Sequence, residues 1–178
     1  PSIIQYTYTS SSCPLVWSRY DNIFIDANIF IYYIGDHPIF ADTCEKPLLD
    51  VETSRSVGVT SIFVLNEVFH KMMMLEACDR FNIGMGRAVR YLKDNPQVIS
   101  SLTTCRENIE RIEHINNLRV IEVPSRLFSK AINFSWRYGM LTTDAIHVAT
   151  MHEYNIKTIA TNDRDFERVS WLKVWKPW

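Results

Sequence analysis

The sequence predicts an α/β fold, a three-layer α/β/α sandwich around a central, mainly parallel sheet. Two observations carry that prediction. Short apolar runs rich in β-formers, at 22–25, 57–60, 119–123, 157–161 and 171–175, alternate with longer stretches of helical spacing. The first run contains Ile23-Phe24-Ile25 without interruption, as suits a parallel strand covered on both faces. Strands that alternate with helices pair in parallel through right-handed crossovers. In such sheets ligands sit in the crevice beyond the carboxyl ends of the strands.

The elements follow in order. Residues 1–20 read as an N-terminal extension, a short edge strand or a loose tail, in which Ile4, Tyr6 and Tyr8 alternate with polar residues before Ser10-Ser11-Ser12. Residues 21–178 make the folded domain. After the strand at 22–25, residues 28–34 continue apolar as a helix that ends near Gly35 and Pro38. The strand at 57–60 leads to Ser61, an expected N-cap for a helix over 62–78. Two more helices are expected at 84–95 and 97–116, parted at Asn95-Pro96. The strand at 119–123 precedes a helix over 125–138 closed by Gly139. Thr142 or Thr143 is expected to cap the next helix, which runs to Tyr154 with Asn155 as a left-handed stop. A strand at 157–161, a turn at 162–166 and a last strand at 171–175 complete the chain.

Composition narrows the function. With 47% hydrophobic and 22% charged residues, the chain has the balance of a soluble globular protein. No apolar run approaches the ~18–20 residues that span a bilayer, so no membrane role is expected. The start PSIIQYTYTSSSC lacks the basic and apolar regions of a secretory signal. Cys13, Cys44, Cys78 and Cys105 are far apart with no C-x-x-C pair, which argues against zinc or a disulfide framework. Free thiols point to a reducing, cytoplasmic setting. The net charge of −1 supplies no global field for a polyanion, so such a partner would need local basic patches.

The acidic residues are the informative feature. Asp26 follows the apolar run 23–25 and so lies at a strand's carboxyl end. Asp163 follows 158–161 in the same way. Asp144 falls in the first turn of a helix, and Glu67 lies on the helix after the second strand, among Phe63, Val64 and Phe69. Each has a plainer reading. Asp144 serves the helix dipole, Glu67 pairs with Lys71 one turn on, and Asp163 is a turn residue in T-N-D-R-D. Only Asp26 has no evident structural task. Four acids converging at one sheet edge would repel: a pair ~4 Å apart costs about 4 kcal/mol at an effective dielectric of about 20. A divalent cation removes that cost, and oxygen-only donors suit Mg²⁺ or Mn²⁺ rather than zinc.

These residues also carry a resemblance. D26-A-N28, then N66-E67, then L141-T-T-D144-A-I-H-V-A149, then T161-N-D163-R-D-F166 resemble the motifs of the PIN domain family in their usual order. The resemblance spans roughly 22–170 and is nearest to VapC-like toxins of type II toxin–antitoxin systems. It implies an endoribonuclease with Asp26, Glu67, Asp144 and Asp163 around one or two Mg²⁺ or Mn²⁺ ions, supported by Asn28 and Thr161, with Asp165 in a lesser role. It further implies an RNA substrate, a homodimer and an antitoxin laid over the site. Alternatives within the family are an RNA-processing nuclease and a non-catalytic module that binds RNA or a partner.

Candidate RNA contacts are Arg164 and Arg168, near the acids, and Arg87 and Arg90, an i, i+3 pair flanked by Arg80 and Lys93. Other chemistries fit less well. Glu67 and His70 form one E-x-x-H, whereas a di-iron bundle needs two. His147 and His152 share no helix face and read as surface or core residues. Met72-Met73-Met74 reads as core and helix surface. Asp26-Ala-Asn28 is not the D-x-D of haloacid-dehalogenase-type phosphatases, although an aspartyl nucleophile at Asp26 is a competing class. No glycine-rich phosphate loop is present.

Overall fold

A computed structural model of the chain describes residues 22–178; the N-terminal segment assigned above as an extension lies outside the described residues. Five strands, β1 (Asn22–Ile25), β2 (Val57–Ser61), β3 (Leu118–Ile121), β4 (Thr158–Ala160) and β5 (Lys173–Trp175), form one sheet in the order β3-β2-β1-β4-β5. Every pairing is parallel. The apolar run in β1 takes the centre, where Phe24 and Ile25 are fully buried.

Among the described residues, seven α-helices flank the sheet: α1 (Ala27–Ile34), α2 (Ala41–Glu52), α3 (Ile62–Phe81), α4 (Met85–Asp94), α5 (Thr104–Glu113), α6 (Leu127–Tyr138) and α7 (Thr142–Glu153). From β1 through β3 the chain winds one way, then returns across β1 to place β4 and β5 on the other side. Right-handed crossovers in opposite directions put their helices on opposite faces. Accordingly α6 packs on α7, while α3 packs against α1, α4 and α5. The strand order reverses between β1 and β4, which opens a crevice at their carboxyl ends. Among the described residues, no helix is long and apolar enough to cross a membrane.

Four details depart from expectation. The unassigned stretch after Pro38 holds α2, whose buried face is Ala41, Cys44, Pro47, Leu48 and Val51. Gly58 makes room for it, since a Cβ there would lie 2.7 Å from Val51 Cγ1. The helix expected over 97–116 is instead a 3₁₀ turn, Pro96–Ser101, followed by α5. Glu76 of α3 starts the new helix by accepting the Cys105 N–H at 2.8 Å and the Thr104 N–H at 3.2 Å. Neither Thr142 nor Thr143 caps α7; Leu141 holds the N-cap position, with no side-chain hydrogen bond. Ser61 is at the N-cap of α3, but its hydroxyl makes no capping bond. Gly139 (φ 62°) and Asn155 (φ 53°) take the left-handed stops expected of them.

Candidate active site

Asp26 leaves β1 and caps α1, its Oδ1 accepting the Ala27 N–H at 2.8 Å. It therefore has a structural task that the sequence did not disclose. Its Oδ2 accepts from Asn28 Nδ2 at 2.5 Å and from Thr161 Oγ1 at 2.7 Å. Asn28 also donates to Thr161 Oγ1 at 2.9 Å and accepts the Asn162 N–H at 2.9 Å. These bonds tie the start of α1 to the exit of β4. Both supporting residues named from the sequence, Asn28 and Thr161, thus touch Asp26.

Thr161 Oγ1 also accepts the Asp163 N–H at 3.0 Å, and Asp163 Oδ1 accepts the Asp165 N–H at 2.8 Å. The turn after β4 is thereby built on side-chain oxygens, and it holds Asp163 beside Asp26. Asn162, not singled out from the sequence, donates to the Tyr32 hydroxyl at 3.1 Å and so fastens the same turn to α1.

Asp144 lies in the first turn of α7. Partial burial pushes its carboxyl from 3.8 up to about 6, and the charges of Asp163, Asp26, Asp165 and Glu67 push the same way. Glu67 is raised too, first by desolvation of its carboxyl and then by Asp26 and Asp163, although the residue keeps access to solvent. Among the described residues no Lys or Arg forms an ion pair with either acid. Among the described residues no ion pair joins Glu67 to Lys71, so the plainer reading of Glu67 fails. The structure brings Asp26, Glu67, Asp144 and Asp163 into one electrostatic field, with Asp165 at its margin.

The acids do not form a closed cage as they lie: among the described residues, no group of three His, Cys, Asp or Glu side chains is arranged to hold a metal ion. The donor set is all oxygen, which suits a hard cation that keeps much of its own water. The acids lie apart from the cavity of about 420 Å³ lined by Phe30, Tyr33, Leu48 and Arg111, among others, and none of the four lines it.

The arginines divide. Arg168 is engaged, pairing with Asp165 at 2.8 Å and donating to the Gly139 carbonyl at 2.6 Å. Arg164 is exposed next to Asp163. Arg87 and Arg90 are exposed on α4, beyond the far end of α3, which carries the chain ~20 Å from Glu67. Arg90 faces Asp94 at 3.6 Å.

Comparison with known proteins gives this arrangement a family. The PIN domain model matches residues 23–172. The chain belongs to the PIN domain family. A relative named ribonuclease VapC6, from Methanocaldococcus jannaschii, is 25% identical over 160 residues, covering 87% of this chain and 97% of that protein. Three solved structures share this fold. VapBC2 from Rickettsia felis, bound to a promoter DNA fragment, superimposes with a TM-score of 0.57 at 14% identity, over 87% of this chain and 98% of that one. VapC20 from Mycobacterium tuberculosis, described as a Sarcin-Ricin loop cleaving toxin, gives 0.54 at 19% identity, over 83% and 94%. A toxin–antitoxin complex from Klebsiella pneumoniae gives 0.54 at 13% identity.

Proposed function

We propose that this PIN domain is a Mg²⁺- or Mn²⁺-dependent endoribonuclease and the toxin of a toxin–antitoxin pair. The observation that carries the reading is the mutual electrostatic action of Asp26, Glu67, Asp144 and Asp163 at the β1–β4 crevice. Among the described residues no Lys or Arg forms an ion pair with these four acids; like charges held together are a cost to the fold, and a cation is what turns that cost into a function. The oxygen-only donors fit Mg²⁺, which takes one or two carboxylates directly and keeps several waters. The relative named ribonuclease VapC6 and the toxin–antitoxin structures that share the fold support the activity and an antitoxin partner; the homodimer is part of the same proposal. Unpaired Cys44, Cys78 and Cys105 accord with a reducing cytoplasm.

The four acids would hold the cation. When bound, it supplies a lowered pKa for an attacking water and neutralises charge that develops on the phosphate oxygens. The protein's own contribution is placement. Ala27, Asn28 and Thr161 fix the Asp26 carboxylate in one orientation. The Asp144 carboxyl, raised to about 6 without a cation, would give up its proton as the cation binds. Arg164, exposed beside Asp163, is placed to meet a phosphate of the RNA.

The test is RNA digestion with added Mn²⁺, with and without EDTA. Cutting by the parent that stops with EDTA, and that is lost in a folded Asp26→Asn variant, is the expected result. Equal cutting by parent and Asp26→Asn would overturn the reading.

A further inference from the structure

Beneath the acids, three polar atoms are buried without a partner. Both ring nitrogens of His147 and the Oγ of Ser61 make no hydrogen bond among the described residues. His147 is 1% exposed and Ser61 0%. Each such atom costs ~1–3 kcal/mol if truly orphaned, so native proteins give nearly all of them a partner, protein or ordered water.

The register of the sheet places these residues on one face. Phe24 lies beside Val59 in the β1–β2 register, and the next alternate positions are Asp26 and Ser61. Side chains two apart in a strand share a face, so Phe24, Asp26, Val59 and Ser61 look the same way. His147 lies on that face, its ring 5.5 Å from the Phe24 ring. The charge of Asp26 acts on the imidazole, and burial holds the imidazole below its ordinary pKa. A neutral ring offers one N–H donor and one acceptor. Asp26 is already held by Ala27, Asn28 and Thr161 on its other sides.

We propose that His147 and Ser61 hold one ordered water against the Asp26 carboxylate, which makes His147 a positioning residue for the cation site. Three polar partners are what a buried water typically takes. The arrangement answers to the support that ligating groups receive from a surrounding layer of hydrogen bonds. The proposal rests on the metal-dependent reading above.

The test is Mn²⁺ titration by calorimetry on the full chain, with thermal melts of each protein. Four proteins are compared: the parent, His147→Phe, His147→Gln and Ser61→Ala. Loss of the bridge should weaken Mn²⁺ binding about tenfold in His147→Phe and Ser61→Ala, while His147→Gln, which keeps a polar group, stays within about threefold of the parent. If Ser61 were a plain orphan, Ser61→Ala would bind Mn²⁺ like the parent and melt at the same or a higher temperature. That outcome overturns the proposal even if His147→Phe fails to fold. A parent that binds Mn²⁺ alongside variants that bind equally removes the bridge and leaves the nuclease reading standing. A parent that binds no Mn²⁺ removes both.

Discussion

Replacing Asp144 by Asn should make the metal-free protein more stable while destroying its response to Mn²⁺. The carboxyl rises from 3.8 to about 6 in the fold, so the folded chain holds the proton more tightly than the unfolded one. Ionised Asp144 therefore costs stability above pH 6 and costs nothing below about pH 4. Two units at full value are about 3 kcal/mol. The side chain is only partly buried, and screening by water reduces this to roughly 1 kcal/mol. The dipole of α7 favours a negative charge in its first turn by ~0.3–1 kcal/mol, and the net upward shift means that desolvation and repulsion exceed it. At pH 7.5, Asp144→Asn should melt about 2–4 °C above the parent, and at pH 4 the two should melt together. Mn²⁺ at a hundred times its Kd should stabilise the parent by about 2.7 kcal/mol and the variant by none. The parental response should itself fade as the pH falls through about 6, where Asp144 takes up a proton. A variant that melts below the parent at pH 7.5, or with the same offset at both pH values, would refute the electrostatic reasoning.

Other substitutions probe other parts of the structure. Thr161→Val keeps the shape but removes a buried hydroxyl that serves Asp26, Asn28 and Asp163. It should cost ~1–3 kcal/mol in denaturant unfolding and weaken Mn²⁺ binding about tenfold or more; unchanged binding would mean Asp26 needs no such support. Gly58→Val would drive a Cβ into Val51 and into Leu118, 2.9 Å away. It should destabilise by ~1–3 kcal/mol, seen as a lower urea midpoint, with normal cutting by the folded fraction. Arg164→Gln should raise the KM for RNA and flatten its salt dependence with Mn²⁺ still bound, whereas Arg87→Gln should change neither; equal effects of the two would detach Arg164 from the site.

Much of the sheet was legible because β1, β2 and β4 are short and largely apolar, and β1 and β4 are followed at once by polar residues. Asp26 and Asp163 could be placed at strand ends on that pattern alone. The turn-and-cap signals at Gly139 and Asn155 worked because both positions demand a left-handed backbone. What stayed hidden depended on contacts between distant segments. Pro47 reads as a helix breaker, yet α2 forms around it because Ala41, Cys44, Leu48 and Val51 find a buried face. No local signal reveals that Glu76 starts α5 from another helix, nor that Leu102 turns inward and divides the expected helix. Thr142 and Thr143 look like caps, but Leu141 takes that place. His147 could be read as core but not as a neighbour of Asp26, because only the parallel register of β1 and β2 and the seat of α7 bring them together.

The convergence of the acids on a cation is tested most directly by crystals of the parent and of Asp144→Asn grown with Mn²⁺ and measured for anomalous scattering. The parent should show a peak enclosed by oxygens of Asp26, Glu67, Asp144 and Asp163 and by water, and the variant should lose it. A parent crystal with saturating Mn²⁺ and no peak among those four side chains would contradict the central claim.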